Sequence, residues 1–434
     1  MKKLIFISVL LILALSLFAA QEENKEKFQF WGNVSIQGFA GDKEHVEFDD
    51  RFSSKFKFLS ELELNGKYQA SDNIEFNATG VVGNYMNMLE SDPYDKKNTV
   101  SARLYYLNGK YTNKNFGTLT VGEFGQTIHP YVFKRSVNEW YFDNPRMADY
   151  QMIGADYRNA LGSFDYDLWY GRLGKNGFDD WDRYIWNYGL GSVDGYDHGH
   201  VTDFSGGTVK NYWGAKVGYD FRPVKITGIY SQADNTENSN KAKIYGGSVN
   251  APLSFVNLDG NYFEQKTDNM EKARMWDLKL SRSFGRLNAG ISYIYIGKGY
   301  NAMGDWVFVN GNRQSAKGYE FDLGYKFSDE FSIDGYVQTG ESFAANSADI
   351  MRAQWNFRYT IDDANSLCFT WRNRALKYDD AAHSFENWFV LKYNHKFADN
   401  INWLLGYENY HQKNGPWWDK DTSGIVFSQL KYNF

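Results

Sequence analysis

Residues 317–360 read KGYEFDLGYKFSDEFSIDGYVQTGESFAANSADIMRAQWNFRYT. From Tyr319 the odd positions are Tyr319, Phe321, Leu323, Tyr325 and Phe327, and the even ones are Glu320, Asp322, Gly324, Lys326 and Ser328. After Asp329-Glu330 the apolar side resumes with Phe331, Ile333, Gly335 and Val337. A third run sets Met351, Ala353, Trp355, Phe357 and Tyr359 against Arg352, Gln354, Asn356, Arg358 and Thr360. Successive side chains of a strand point to opposite faces, so this alternation marks three strands with one apolar and one polar face. Strands of a β-sandwich average about 5–6 residues, whereas these run roughly 9–13, the length that crosses a bilayer at a tilt.

Working outward, the connections alternate between short and long. The short ones share a chemistry: Ala70-Ser71-Asp72-Asn73-Ile74, Ser328-Asp329-Glu330-Phe331 and Ala398-Asp399-Asn400-Ile401, with Phe221-Arg222-Pro223-Val224 in the same part. Asp and Asn bond their own backbone in such turns. Long connections fall near 40–54, 87–98, 125–150, 173–207, 300–314 and 411–421, among others. The pattern predicts an all-β fold, a transmembrane antiparallel barrel with short periplasmic turns, long outer loops and the apolar face toward lipid. Twenty strands are counted. The weak segment 241–251 leaves an even number between sixteen and twenty. Closure removes the edge strands that an open sheet of this size would expose.

Composition agrees. Of 434 residues, 18% are aromatic and 40 are Gly against 6 Pro, which is strand and turn material. A mean hydropathy of −0.58 is far too polar for a helical membrane bundle. Lys2 and Lys3, the apolar run Leu4–Phe18 and then Ala19-Ala20 read as a secretory signal peptide over residues 1–20, leaving 21–434 as one barrel domain. Without Lys2 and Lys3, 45 of the 47 basic residues face 53 acidic ones, a net charge of −8 that argues against a nucleic-acid partner. Cys368 is the single cysteine, so no internal disulfide braces the exported chain. Neither G-x-S-x-G nor H-E-x-x-H occurs among the seven histidines' surroundings or elsewhere, and His198-Gly199-His200 is too sparse for a metal site. No enzyme activity, cofactor or metal is expected.

Two segments resemble the general porins of Gram-negative outer membranes. The chain ends Val426-Phe427-Ser428-Gln429-Leu430-Lys431-Tyr432-Asn433-Phe434, which looks like the last-strand signal read by the barrel-assembly machinery. Phe116-Gly117-Thr118-Leu119-Thr120-Val121-Gly122-Glu123 is similar to the family's fifth-strand motif, and 117–124 is also the fifth strand of the count. The resemblance implies that the following loop, 125–150, folds into the lumen as a constriction, and it implies a homotrimer. Glu123 stands where the porin pattern has arginine, so no ion preference carries over.

Candidate constriction residues are Lys134, Arg135, Glu139, Asp143, Arg146 and Asp149, interleaved with Tyr131, Trp140 and Tyr141, together with Glu123. On the wall, alternation turns inward Glu61, Glu63 and Lys67, then Asp165 and Asp167, then Glu320, Asp322 and Lys326. The late strands offer a basic stripe, Arg352, Arg358, Arg372 and Arg374. Each charge is equally readable as a solvated lumen residue or as a brace for a loop. Loop 173–207, with Asp179, Trp181, Asp182, Tyr184 and Trp186, offers rings for sugars or carboxylates for Ca²⁺, or simply packs on itself.

The reading is an outer-membrane channel for passive diffusion of small hydrophilic solutes and ions, in contact with outer-membrane lipid. A sugar-selective channel stacking solutes on Trp140, Tyr141 and Trp181 is one alternative; a structural or adhesive barrel without an open pore is another. If Glu139 and Asp143 face the arginines at the narrowest point, changing both to Gln shifts the single-channel reversal potential in a salt gradient. An unshifted potential removes them from the constriction.

Overall fold

The computed structural model describes residues 27–41, 56–83, 101–126, 128–132, 150–173, 209–235, 241–268, 271–298, 300, 316–342, 348–378, 383–413 and 422–434. Its first ten strands are β1 (Phe28–Gly41), β2 (Phe56–Ser71), β3 (Ile74–Gly83), β4 (Ser101–Asn113), β5 (Gly117–Gln126), β6 (Tyr150–Leu161), β7 (Phe164–Leu173), β8 (Val209–Asp220), β9 (Lys225–Asn235) and β10 (Lys241–Pro252). The second ten are β11 (Asn257–Thr267), β12 (Ala273–Phe284), β13 (Leu287–Ile296), β14 (Ala316–Lys326), β15 (Phe331–Ser342), β16 (Ala348–Thr360), β17 (Asn365–Tyr378), β18 (Ser384–Ala398), β19 (Ile401–Lys413) and β20 (Thr422–Asn433). Each strand pairs antiparallel with its sequence neighbours, and β1 also pairs with β20, so one 20-stranded sheet closes on itself. The upper end of the expected range is therefore the right one. The segment at 241–251 is a full strand, β10; Gly246 and Gly247 simply remove two side chains from its alternation.

The seam is made at the chain's end. Gly32 N–H donates to the Phe434 carbonyl at 2.9 Å, Phe434 N–H donates to the Gly32 carbonyl at 3.0 Å, and the Phe434 ring lies 6.4 Å from that of Phe30. The outward face carries the apolar set: Tyr319, Phe321, Leu323, Tyr325 and Phe327 are all exposed, as hydrocarbon-facing residues must be.

The glycines of the fifth-strand motif have a conformational reason. Gly117 and Gly122 sit at φ +90° and +122°, and a Cβ there would meet the carbonyl oxygens of Arg158 at 2.4 Å and Leu107 at 2.4 Å. Phe116 ahead of them packs its ring 5.7 Å from Tyr111 and 5.0 Å from Tyr157.

The short turns explain their shared residues. Asp362 Oδ1 accepts the backbone N–H of Ala364 and of Asn365, each at 2.8 Å. Lys326, the last residue of β14, and Lys396, two residues before the end of β18, reach across to Asp329 at 2.8 Å and Asp399 at 2.6 Å. These bonds hold the Asp329 and Asp399 carboxyls below their ordinary range through the facing lysine, and Asp362 through Asn365. A carboxyl depressed in the folded state stabilises above its unfolded pKa and loses that contribution as pH falls through the folded value. The heat-unfolding temperature of the folded barrel should accordingly drop as pH falls below about 4, and drop less in a D329N/D399N variant. Equal acid sensitivity in both proteins would show that the turns do not contribute.

Candidate functional site

Directly paired residues of an antiparallel sheet share a face, so the strand registers define the lumen wall row by row. One inward row runs Glu320, Gln338, Arg352, Arg374, Glu386 across β14 to β18. Gln338 donates to Glu320 at 2.5 Å, and Arg374 Nη2 lies 2.5 Å from Glu386 Oε2. Arg352 and Arg374, 1% and 2% exposed, stand directly opposite one another, and the Arg352 guanidinium lies 5.7 Å from the centre of the Tyr336 ring. In the next row toward the short turns, Arg372 donates to Gln354 at 2.9 Å. The row after it joins Asp334, Asn356 and Thr370, with Asn356 donating to Asp334 at 3.0 Å.

Three of the four expected arginines thus converge. Arg358 is six residues from Arg352 along β16, about 20 Å, and pairs with Asp334 near the short-turn end. Lys326 lies at that end too, on Asp329. Both belong to the mouth rather than to the arginine cluster. The earlier strands hold their own networks. Asn65 donates to Glu63 at 2.8 Å, Lys67 meets Glu75 at 2.7 Å and Lys225 meets Asp165 at 2.6 Å. Gln126, fully buried, donates to Asp156 at 2.9 Å and accepts from Arg158 at 2.7 Å, and Arg158 also reaches Asp167 at 3.4 Å. Gln126, Asp156, Arg158, Asp334 and Glu386 were not singled out from sequence. Alternation turns them inward, but only the strand registers reveal their partners.

Glu123 requires a correction. Its cross-strand partners are Leu107 and Ile153, exposed 53% and 43% on the outward face, while Phe124 and Gln126 are the inward residues of β5. The alternation of β5 therefore carries Glu123 away from the lumen, and it takes no part in a constriction.

Of the loop after β5, residues Ile128–Val132 are described. Ile128 and Val132 are buried in an apolar cluster with Phe124, Met152, Phe263 and Met275. The His129 ring lies 4.8 Å from that of Phe263 on β11. Tyr131 donates its hydroxyl to Asp277 on β12 at 3.3 Å, and its carbonyl accepts the Tyr300 hydroxyl at 2.8 Å. Lys134, Arg135, Glu139, Trp140, Tyr141, Asp143, Arg146 and Asp149 lie outside the described residues, as do Trp181 and its loop and the expected leader.

A closed barrel with an apolar exterior and an interior of paired charges and amides is an outer-membrane channel protein. The family model for Gram-negative porins matches residues 8–342, and the chain belongs to that family and to the outer membrane. Among solved structures it is similar to OccK5 (OpdH) of Pseudomonas aeruginosa, with a TM-score of 0.54 and 12% identity over 94% of this chain and 99% of that one. It is similar as well to OccK8 (OprE) of the same organism, with a TM-score of 0.54 and 10% identity over 94% and 98% of the two chains. OccAB3 of Acinetobacter baumannii gives a TM-score of 0.51 and 9% identity over 94% and 99%. At these identities the likeness is one of fold. No curated protein matches the sequence.

Removing Glu386 leaves the Arg374 guanidinium buried without that carboxylate, a change that costs about 3–5 kcal/mol in comparable pairs. A Glu386→Ala barrel should unfold at lower temperature and, if folded, favour anions more strongly in a salt gradient. Wild-type values for both would show that the pair is immaterial.

Proposed function

We propose that the chain passes small hydrophilic solutes and ions by passive diffusion, with loop 125–150 narrowing the lumen. The observation that carries this reading is the anchoring of Tyr131. A residue five positions beyond β5 bonds to Asp277 on β12 and accepts from Tyr300, so the loop root leaves its own strand pair for a distant part of the wall. A loop held there crosses the water path, and the buried arginines with Glu386 and Glu320 supply charges on the wall from β14 to β18. Such a filter sorts by size and field and needs no covalent step.

In the same reading residues 1–20 are a signal peptide removed on export. The last strand, ending in Phe434, is the segment handed to the barrel-assembly machinery, and the working unit is a homotrimer.

One observation favours a sugar-selective variant. Asn257, Lys279, Asn288, Asp322, Gln354 and Asn356 help line a hollow of about 570 Å³ in the wall. Its amides and carboxylates match hydroxyl-rich neutral solutes.

Single-channel recording of the mature protein in a planar bilayer tests these readings. Stable open steps unaffected by sugars fit simple diffusion, saturable block by sugar fits the selective variant, and lasting silence from folded protein overturns both. A Y131F/Y300F variant removes both hydroxyls that anchor the loop. A hydrogen bond to a charged group contributes about 1.5–3 kcal/mol, so the loop should detach at least about tenfold more often and the open level should become noisier. An unchanged trace would sink the anchoring role.

A further inference from the structure

The exterior of the barrel carries an unexplained group of cations. On β11 and β12, Tyr262 and Trp276 are exposed, whereas Phe263, Gln265, Ala273 and Met275 are buried, so Lys266 and Arg274 share the outward face with Tyr262 and Trp276. Lys243 of β10 stands directly opposite Lys266, and Lys272 lies just ahead of β12. Like charges directly opposite on one face destabilise a strand pair. One carboxylate, Glu264, lies within this group. It stands opposite Arg274, but it is ion-paired with Lys272 and accepts the Tyr262 hydroxyl at 2.8 Å. The neighbouring acids are engaged or lie farther toward the loops: Asp234 accepts from Gln232 at 2.7 Å and stands opposite Lys241, Asp268 accepts the Lys241 backbone N–H at 3.1 Å, and Glu271 precedes Lys272. Among the described residues Lys243, Lys266 and Arg274 make no ion pair.

The position of this group on the strands matters as much as its charge. Tyr262 and Trp276, opposite one another, lie four residues along β11 from Lys266 and two along β12 from Arg274, about 7–13 Å nearer the barrel's middle. Tyr245 shares the row of Glu264 and Arg274, with Lys272 Nζ 5.3 Å from its ring centre. The three rings form part of the aromatic girdle on the long-loop side. Cations immediately beyond such a girdle sit at the depth of the lipid headgroups, and their stems lie along the apolar surface. The chain as a whole is acidic, so this positive group stands against its background.

We propose that Lys243, Lys266 and Arg274 bind the phosphate of an anionic glycolipid headgroup in the outer leaflet. A phosphate seated between Lys243 and Lys266 turns their repulsion into two charge-assisted bonds, and Arg274 adds a forked donor from the next strand. The rings of Tyr262 and Trp276 below give the sugar and acyl portions a surface that a free phosphate ion has no use for. The site lies on the outside of the wall and is independent of what passes through it.

The test uses the full-length barrel in detergent, lipopolysaccharide as probe, and native mass spectrometry with heat-unfolding temperature as readouts. Wild-type protein should retain the lipid and be stabilised by it. A K243Q/K266Q/R274Q variant should bind at least about tenfold more weakly with its single-channel conductance unchanged, and removing the lipid's phosphates should weaken wild-type binding equally. Equal binding by wild type and variant overturns the proposal, and so does indifference to the phosphates. Inorganic phosphate that stabilises as well as the lipid does overturns the lipid assignment, and loss of an oligomer in the variant with lipid binding unchanged marks a protein interface instead. Should the triple variant not fold, wild-type binding must still weaken as salt rises from about 50 to 500 mM, and salt-independent binding overturns the site.

Discussion

Everything in this structure depends on pairing the backbone. In hydrocarbon an unpaired N–H or C=O has no water to turn to, so a sheet that crosses a membrane must have no edge. Here the condition is met where β1 bonds to β20 and Gly32 exchanges two hydrogen bonds with Phe434. Twenty strands closing in this way force each strand to show one face to lipid and the other to the lumen. The apolar-polar alternation is the covalent record of that requirement, and the short Asp-rich turns are the cheapest way to reverse direction between crossings.

The interior answers a different demand. Between its girdles a wall with an apolar outer face turns most of its charges to the lumen, and there many are matched to one another. Arg374 meets Glu386, Arg372 meets Gln354, Arg358 meets Asp334, and Arg158 meets Asp156 and Asp167. Pairs of this kind hold long side chains against the wall. Where the described root of the β5–β6 loop enters, the wall becomes apolar instead, with Phe263, Met275, Ile294 and Ile296 receiving Ile128 and Val132. Polar lining and apolar docking patch are thus assigned to different parts of the same surface.

Much of this was legible in the chain itself. Alternation gave the strand count and the direction of Glu61, Asp167, Glu320 and Arg352, because side-chain direction in a strand has a period of two and needs no knowledge of neighbours. The same rule failed at two places for physical reasons. Glycines in β10 left blanks in the pattern, so a full strand read as a weak one. Glu123 was drawn into the lumen by its place in a motif, although the parity of β5 sends it outward with Val121.

The sequence by itself determined that this protein is a closed membrane barrel, which faces its strands show, and where its turns fall, since these follow from local periodicity and turn chemistry. Only the tertiary structure decided which charges meet. Cross-strand register places Arg352 beside Arg374 and Arg374 beside Glu386, and chain folding brings Tyr131 to Asp277, residues 146 positions apart. Those contacts depend on how strands slide against one another when the sheet closes, and a one-dimensional pattern carries no record of that slide.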